Sequence, residues 1–191
     1  MLIMEAYENQ VFEKKNYAGK AHKGYEFQGC RFVNCDLSNG NFSNCRFLDC
    51  TFEGCNLSMI KLSGSTLFNV IFKQSKILGV IFGECNDMMF SVRFEHSILD
   101  YASFMGKKMP KTNFVTSSLK ETNFTQANLS GAVFDACDLF GAMFNQTDLA
   151  GANFVTAYNY IIDPELNQLK KASFSEQGLA GLLTKYQINI V

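Results

Sequence analysis

Beginning at Phe27, an apolar residue returns at every fifth position of this chain. The series runs Phe27, Phe32, Leu37, Phe42, Phe47, Phe52, Leu57, Leu62, Leu67, Phe72, Ile77 and Phe82. It resumes as Phe94, Leu99, Phe104, Met109, Phe114, Leu119, Phe124, Leu129, Phe134, Leu139, Phe144, Leu149 and Phe154. Fourteen of the 19 phenylalanines lie on these two runs, and Phe12 and Phe174 fall in phase with them. Neither regular element accommodates this period. Five helical steps of about 100° spiral the apolar residues around the helix, leaving no stripe. On a flat strand, five steps place successive residues on opposite faces. The chain must therefore turn a corner once per repeat, so that each bulky residue, i, returns to a shared interior.

In such a coil the side chain at i−2 also points inward, i−1 points outward, and i+1 and i+2 make the corner. Small side chains are expected at i−2, and the sequence has them: Cys30, Cys35, Gly40, Cys45, Cys50 and Cys55, then Ala102, Thr112, Ser117, Thr122, Ala127, Ala132, Cys137, Ala142, Thr147 and Ala152. All seven cysteines take this register once the first run is extended to Cys85. They read as small buried hydrophobes with free thiols. The spacing Cys45-x4-Cys50-x4-Cys55 stands at the upper limit of the about two to four intervening residues usual between metal ligands, so the expectation of no metal rests on the shared inward register. Lys107 is the one clear violation of the pattern. The outward i−1 positions carry Asp36, Asn41, Asn56, Asn123, Asn128, Asp138, Asp148 and Asn153, residues suited to bonding turn backbone.

The pattern breaks twice. The step from Phe82 to Phe94 is two positions longer than a pair of repeats, so a loop holding Glu84, Asn86 and Asp87 is expected near 83–88, dividing the rod into two stacks. Around Pro110, the inward slot at Lys107 suggests a remodelled corner from which Lys107, Lys108 and Lys111 project. These two stretches are the candidate loops, since loops on repeat scaffolds often carry function. Residues 1–26 read as an N-terminal cap, 27–157 as the coil and 158–191 as a helical cap. In that last segment Asp163-Pro164 has the form of a helix start. A second helix after Ser175 would present Leu179, Leu182, Leu183 and Tyr186, followed by Ile188 and Ile190, as an apolar face for a two-fold dimer.

Stretches such as Ala127-Asn128-Leu129-Ser130-Gly131 and Ala152-Asn153-Phe154-Val155-Thr156 resemble the A(D/N)LXX unit of pentapeptide-repeat proteins. The resemblance implies an all-β fold, a right-handed quadrilateral parallel β-helix with four pentapeptides per coil. Phe94, Phe114, Phe134 and Phe154 would then be coil-mates in one internal column. Coil-mates Cys30/Cys50 and Cys35/Cys55 would stand ~4.8 Å apart, wider than the ~3.8 Å between Cβ atoms that a disulfide prefers. The tail, with Asn159-Tyr160-Ile161-Ile162-Asp163, Lys171-Ala172-Ser173-Phe174-Ser175, Leu182-Leu183 and Ile188-Asn189-Ile190, is similar to the endings of the quinolone-resistance, albicidin-immunity and microcin-immunity subgroup. That resemblance implies a protein that binds DNA gyrase or topoisomerase IV as a mimic of duplex DNA. It also implies a homodimer through the C-terminal end.

Charge bears directly on mimicry. Seventeen basic and 18 acidic residues give a formal charge of −1, which excludes a polybasic nucleic-acid binder and a bulk polyanion. Duplex DNA carries about one charge per 1.7 Å. The nearest approach to this lies between Lys120 and Lys170, a window without Lys or Arg, where Glu121, Asp135, Asp138 and Asp148 form the candidate acidic zone. The alternative is an interaction scaffold for a different protein. An enzyme is disfavoured: the only histidines are His22 and His96, and no ligand cluster, phosphate loop or nucleophile motif accompanies them. No metal or cofactor is expected. No apolar run is long enough to span a membrane, and Met1–Met4, followed by Glu5 and Glu8, is too short for a signal-peptide core. A cytoplasmic setting with reduced thiols is the expectation.

Overall fold

A computed structural model describes residues 5–189. The chain winds as a parallel β-helix of square cross-section. Among the described residues, eleven short strands occupy two adjacent sides: β1 (Ala6–Glu8), β2 (Val11–Glu13), β3 (Glu26–Gln28), β4 (Arg31–Val33), β5 (Arg46–Leu48), β6 (Thr51–Glu53), β7 (Thr66–Phe68), β8 (Val70–Lys73), β9 (Val92–Glu95), β10 (Asn113–Val115) and β11 (Val133–Asp135). One sheet has the order β1-β3-β5-β7, the other β2-β4-β6-β8-β9-β10-β11, and every pairing is parallel. The other two sides are ladders of single bridges, such as Asn16–Asp36–Asn56–Lys76–Ile98 and Ser103–Asn123–Met143.

The interior is columns of like residues. Phe12, Phe32, Phe52, Phe72, Phe94, Phe114, Phe134, Phe154 and Phe174 stack in one unbroken column, with centroids 4.6–5.3 Å apart and ring planes within 16°. That step is the strand spacing itself, so the backbone ladder and the ring stack reinforce each other. Phe82, Phe104, Phe124 and Phe144 form a second column, meeting the first edge to face. Each phenylalanine so buried contributes about 1.5–3 kcal/mol by leaving water.

Corners turn at i+2 through left-handed backbone, where Asn and Gly are frequent in the N-terminal coils. Asn34 has φ 52° and Gly54, one coil on, φ 63°. A Cβ at Gly54 would collide with the Asn34 side-chain oxygen, so here glycine answers both the backbone angle and the crowding.

Two expectations from sequence are revised. The long step between Phe82 and Phe94 does not divide the rod. β8 pairs with β9 so that Phe72 matches Phe94, two positions later than the regular coil would place its mate, and the longer sheet runs straight through. The extra length is confined to the side carrying the shorter sheet, which ends at β7. Asp163-Pro164 starts no helix. Residues 164–167 form a turn, and the coil is completed by the bridges Asp148–Gln168 and Asn153–Ser173. The Asp163 carboxylate accepts the Glu165 N–H at 2.8 Å and closes this turn. Within the stretch expected as an N-terminal cap, residues 5–24 already form a coil, with Tyr7, Phe12, Tyr17 and His22 in its four inward slots.

Candidate functional site

Side chains in the i−2 register are more than space-savers. At one corner Ser75, Ser97 and Ser117 stand above Cys35 and Cys55, and each sulfur or oxygen accepts a backbone N–H from the coil before. The bonds run from Lys15 to Cys35, Cys35 to Cys55, Cys55 to Ser75, Ser75 to Ser97 and Ser97 to Ser117, at 3.1–3.4 Å. Several of these groups also donate to the carbonyl of the preceding coil's inward residue. Cys50 reaches Phe27, Ser65 reaches Phe42, Thr147 reaches Phe124 and Asn167 reaches Phe144. Corner amides that the strand ladders miss are satisfied inside the rod. The seven thiols are all free and buried. Burial pushes Cys50, Cys55 and Cys137 up to about 12.

The outward i−1 side chains act as the sequence implies. Asp36, Asn41, Asn56, Asn128, Asp148 and Asn153 each accept the N–H two positions ahead, at 2.9–3.2 Å. This bears on the candidate acidic zone. Asp148 is tied to the Ala150 N–H. Asp138 accepts from the Phe140 N–H and the Asn159 amide and pairs with Lys120 at 3.3 Å. Burial alone would raise the Asp138 pKa, but these partners outweigh it and hold the carboxyl below its usual range. Asp135 takes the Thr156 hydroxyl at 2.8 Å, and Glu121 stands exposed at a left-handed corner. The four acids are spread around the rod rather than gathered on one side.

Lys107 overturns its expectation. Rather than projecting, it fills the inward slot and is 1% exposed. Its ammonium donates to the Cys85 carbonyl at 2.5 Å, pairs with Asp87 at 2.9 Å and lies 4.7 Å from the centre of the Phe90 ring. The long side chain crosses the gap opened by the lengthened coil and fastens loop 85–90 in place. Lys108 and Lys111 are exposed. Asn86 turns the loop by accepting the Met88 N–H, and Glu84 closes the short 3₁₀ turn Phe82–Glu84. Between this loop and β5–β7 lies an open groove of about 450 Å³, lined by Leu48, Phe68, Met88 and Met89 with Arg46 and Asp49.

The chain ends in three short turns, Gln177–Leu179, Ala180–Leu183 and Thr184–Tyr186, folded across the last coil. Leu182 packs on the core and Leu183 is half-buried, while Leu179, Tyr186 and Ile188 are exposed. Ile190 lies outside the described residues. Lys185 anchors the segment through Asp163 at 2.7 Å and Glu165 at 2.8 Å. Sequence reasoning passed over one further group. Tyr101, Phe140 and Ile161, each about 60% exposed, occupy outward or corner positions in the C-terminal half. The available signal was an apolar residue at a register that is elsewhere polar.

Among the described residues no cluster of His, Cys, Asp or Glu could hold a metal ion. No described helix is long and apolar enough to cross a membrane. What the geometry offers is surface: a square rod with a loop-flanked groove, exposed apolar side chains and two dissimilar ends. That is the anatomy of a repeat solenoid, a scaffold whose sides are available for contact. The model for a pentapeptide repeat region matches residues 25–104, and that for pentapeptide repeats, in eight copies, matches residues 117–154. The chain belongs to the pentapeptide-repeat family. No curated protein matches it in sequence. Among solved structures, a trypsin-treated variant of QnrB1, a plasmid-mediated fluoroquinolone resistance protein, superposes with a TM-score of 0.62 at 18% identity, covering 97% of this chain and 98% of QnrB1's. Full-length QnrB1 gives 0.58 at 15% identity, over 96% and 100% of the two chains. A second trypsin-treated variant gives 0.55 at 19%, over 95% and 100%.

Proposed function

We propose that this protein is a non-enzymatic binder of bacterial type II topoisomerases, DNA gyrase or topoisomerase IV, and protects them from poisons such as fluoroquinolones. The observation that carries this reading is the match to a fluoroquinolone resistance protein over nearly the whole of both chains. In this reading the rod takes the place of duplex DNA in its partner's groove. The C-terminal half makes the contact, with Glu121, Asp135, Asp138 and Asp148 as its acidic element and Tyr101 and Phe140 as apolar anchors. Loop residues Glu84, Asn86 and Asp87, together with Lys108 and Lys111, flank it on the N-terminal side. Leu179, Tyr186 and Ile188 would join two copies into a homodimer.

The acids argue for mimicry of shape more than of charge. Four carboxylates, one of them paired with Lys120, fall short of DNA's density of about one charge per 1.7 Å. The same observation favours the second reading, a scaffold for a protein other than a topoisomerase. A gyrase supercoiling assay with and without a fluoroquinolone decides between them. Inhibition of supercoiling, or its rescue from the drug, at stoichiometric protein supports the first reading. No effect on gyrase or topoisomerase IV sinks it.

A further inference from the structure

The C-terminal segment lies on the last coil without sinking into it. None of its residues 177–186 is buried. Leu182 packs on the core, the Ile162 N–H donates to the Gly181 carbonyl at 3.1 Å, and Lys185 grips Asp163 and Glu165. What the segment covers is Tyr160, 4% exposed, whose ring meets those of Phe154 and Phe174 at 5.5 and 5.7 Å. The ring has apolar company. The hydroxyl, shut off from solvent, has no hydrogen-bond partner among the described residues. Burial pushes this phenol above its usual range.

Two glycines set how closely the segment approaches. A Cβ at Gly178 would collide with the Tyr160 hydroxyl oxygen, and one at Gly181 with the Tyr160 carbonyl oxygen. Both lie in helical turns and neither has a positive φ, so the backbone there would accept alanine, the better helix former. Contact with Tyr160, rather than the turns themselves, calls for glycine. Gly178 therefore roofs the hydroxyl. Beside it a crevice of about 490 Å³, lined by Thr156, Asn159, Ser175 and Gln177, lies between the segment and the corner at 155–159. Once the segment lifts, water entering there reaches the hydroxyl. On closure the hydroxyl gives up that water and gains no partner in return, a cost set against the packing of Leu182 and the grip of Lys185.

We infer that residues 177–186 form a strap that lifts from and closes over the last coil, and that the unpaired Tyr160 hydroxyl is the element that keeps its closed position shallow. The two positions are states of one ensemble, and any contact that favours one shifts the population. Lifting uncovers Tyr160 and Phe174 and carries Leu179, Tyr186 and Ile188 away from the rod. The position of the strap thus sets which apolar surface this end presents. The inference does not depend on the topoisomerase reading.

Amide hydrogen exchange of the full chain, read by NMR at neutral pH, tests this through the Ile162 N–H, which is bonded only when the strap is closed. In wild type it should exchange at least about tenfold faster than the Leu119 N–H, which donates to the Asp138 carbonyl in the middle of the rod, because it opens with the strap alone. Tyr160→Phe removes the unpaired hydroxyl and should slow Ile162 at least about fivefold, the lower end of what an unmet buried polar group costs. Gly181→Ala should quicken it at least about tenfold by overfilling the contact, and Lys185→Met should quicken it by releasing the clasp. An Ile162 amide as slow as Leu119 in wild type means that no separate strap opening occurs and overturns the inference. So does a Tyr160→Phe protein whose Ile162 exchanges as fast as wild type or faster, since the hydroxyl then opposes nothing. Protection of Ile162 that falls on tenfold dilution assigns the closure to a second copy and overturns it as well.

Discussion

The Ser75 backbone N–H donates to the Ser97 hydroxyl at 3.2 Å, across a corner where no strand partner is available. Ser97 in turn donates to the Glu95 carbonyl at 2.9 Å and lies within reach of the Phe72 carbonyl at 3.4 Å. One buried hydroxyl therefore serves two coils. Replacing it by Ala frees the Ser75 N–H in a dry interior, a loss of about 1–3 kcal/mol. Urea unfolding of Ser97→Ala should show that loss, and Ser97→Cys should restore part of it, since Cys occupies equivalent rungs at Cys35 and Cys55.

Lys107 supports a second prediction. Lys107→Ala removes the donor to the Cys85 carbonyl, the partner of Asp87 and the packing of the side-chain stem at once. We expect a destabilisation of about 3 kcal/mol and fast amide exchange across residues 86–90. Lys107→Met refills the slot without the donor and should cost about 1–2 kcal/mol. Equal stability of wild type and Lys107→Ala would mean that the buried ammonium is not what fastens the loop.

Thiol chemistry offers a third check. A thiolate is the reactive form, and burial holds Cys45 at about 11 and Cys50, Cys55, Cys85 and Cys137 at about 12. In native protein at pH 8, iodoacetamide should label none of the seven, and all seven after denaturation. Rapid native labelling at any of them would show that its coil opens.

The C-terminal segment should respond to pH. Hydrogen bonds from Lys185 hold Asp163 and Glu165 below their usual range. Desolvation pulls Lys185 down, but its bonds to both carboxylates more than reverse that and raise it. The carboxylates' contribution is thus complete above about pH 5 and lost as pH falls through their lowered values. The lysine's contribution is complete below about pH 10 and lost above its raised one. Limited proteolysis should find residues 177–186 protected at pH 7 and cut more readily at pH 3. Lys185→Met should be cut at pH 7 as readily as wild type in acid.

Much of this architecture is legible in the sequence because a square coil writes its period into every side chain that enters it. Phe94, Phe114, Phe134 and Phe154 stack where their spacing puts them, and Asn128 and Asn153 bond the turns their register suggests. The departures share a cause. Lys107 looks like an intruder only if the interior is imagined as wholly apolar. In the folded chain an unmet carbonyl and Asp87 wait at the end of its stem. Cys35 and Cys55 read as small hydrophobes because a sequence does not record which backbone amides lack a strand partner. Pro164 suggests a helix by local rule, but the ladder from Asp148 and Asn153 imposes another coil and overrides it. The outward-facing residues of the candidate site carry the least information, since solvent constrains them least.

The lengthened circuit between Phe72 and Phe94 has a consequence for how such rods change length. It leaves the columns on either side aligned, so the fold tolerates irregularity along one side while keeping its axial step. A deletion or duplication of one whole circuit would likewise bring like onto like. Reach along the axis is therefore quantised in increments of about 4.8 Å, and a partner that gauges the rod end to end can be matched or mismatched by adding or removing a single circuit.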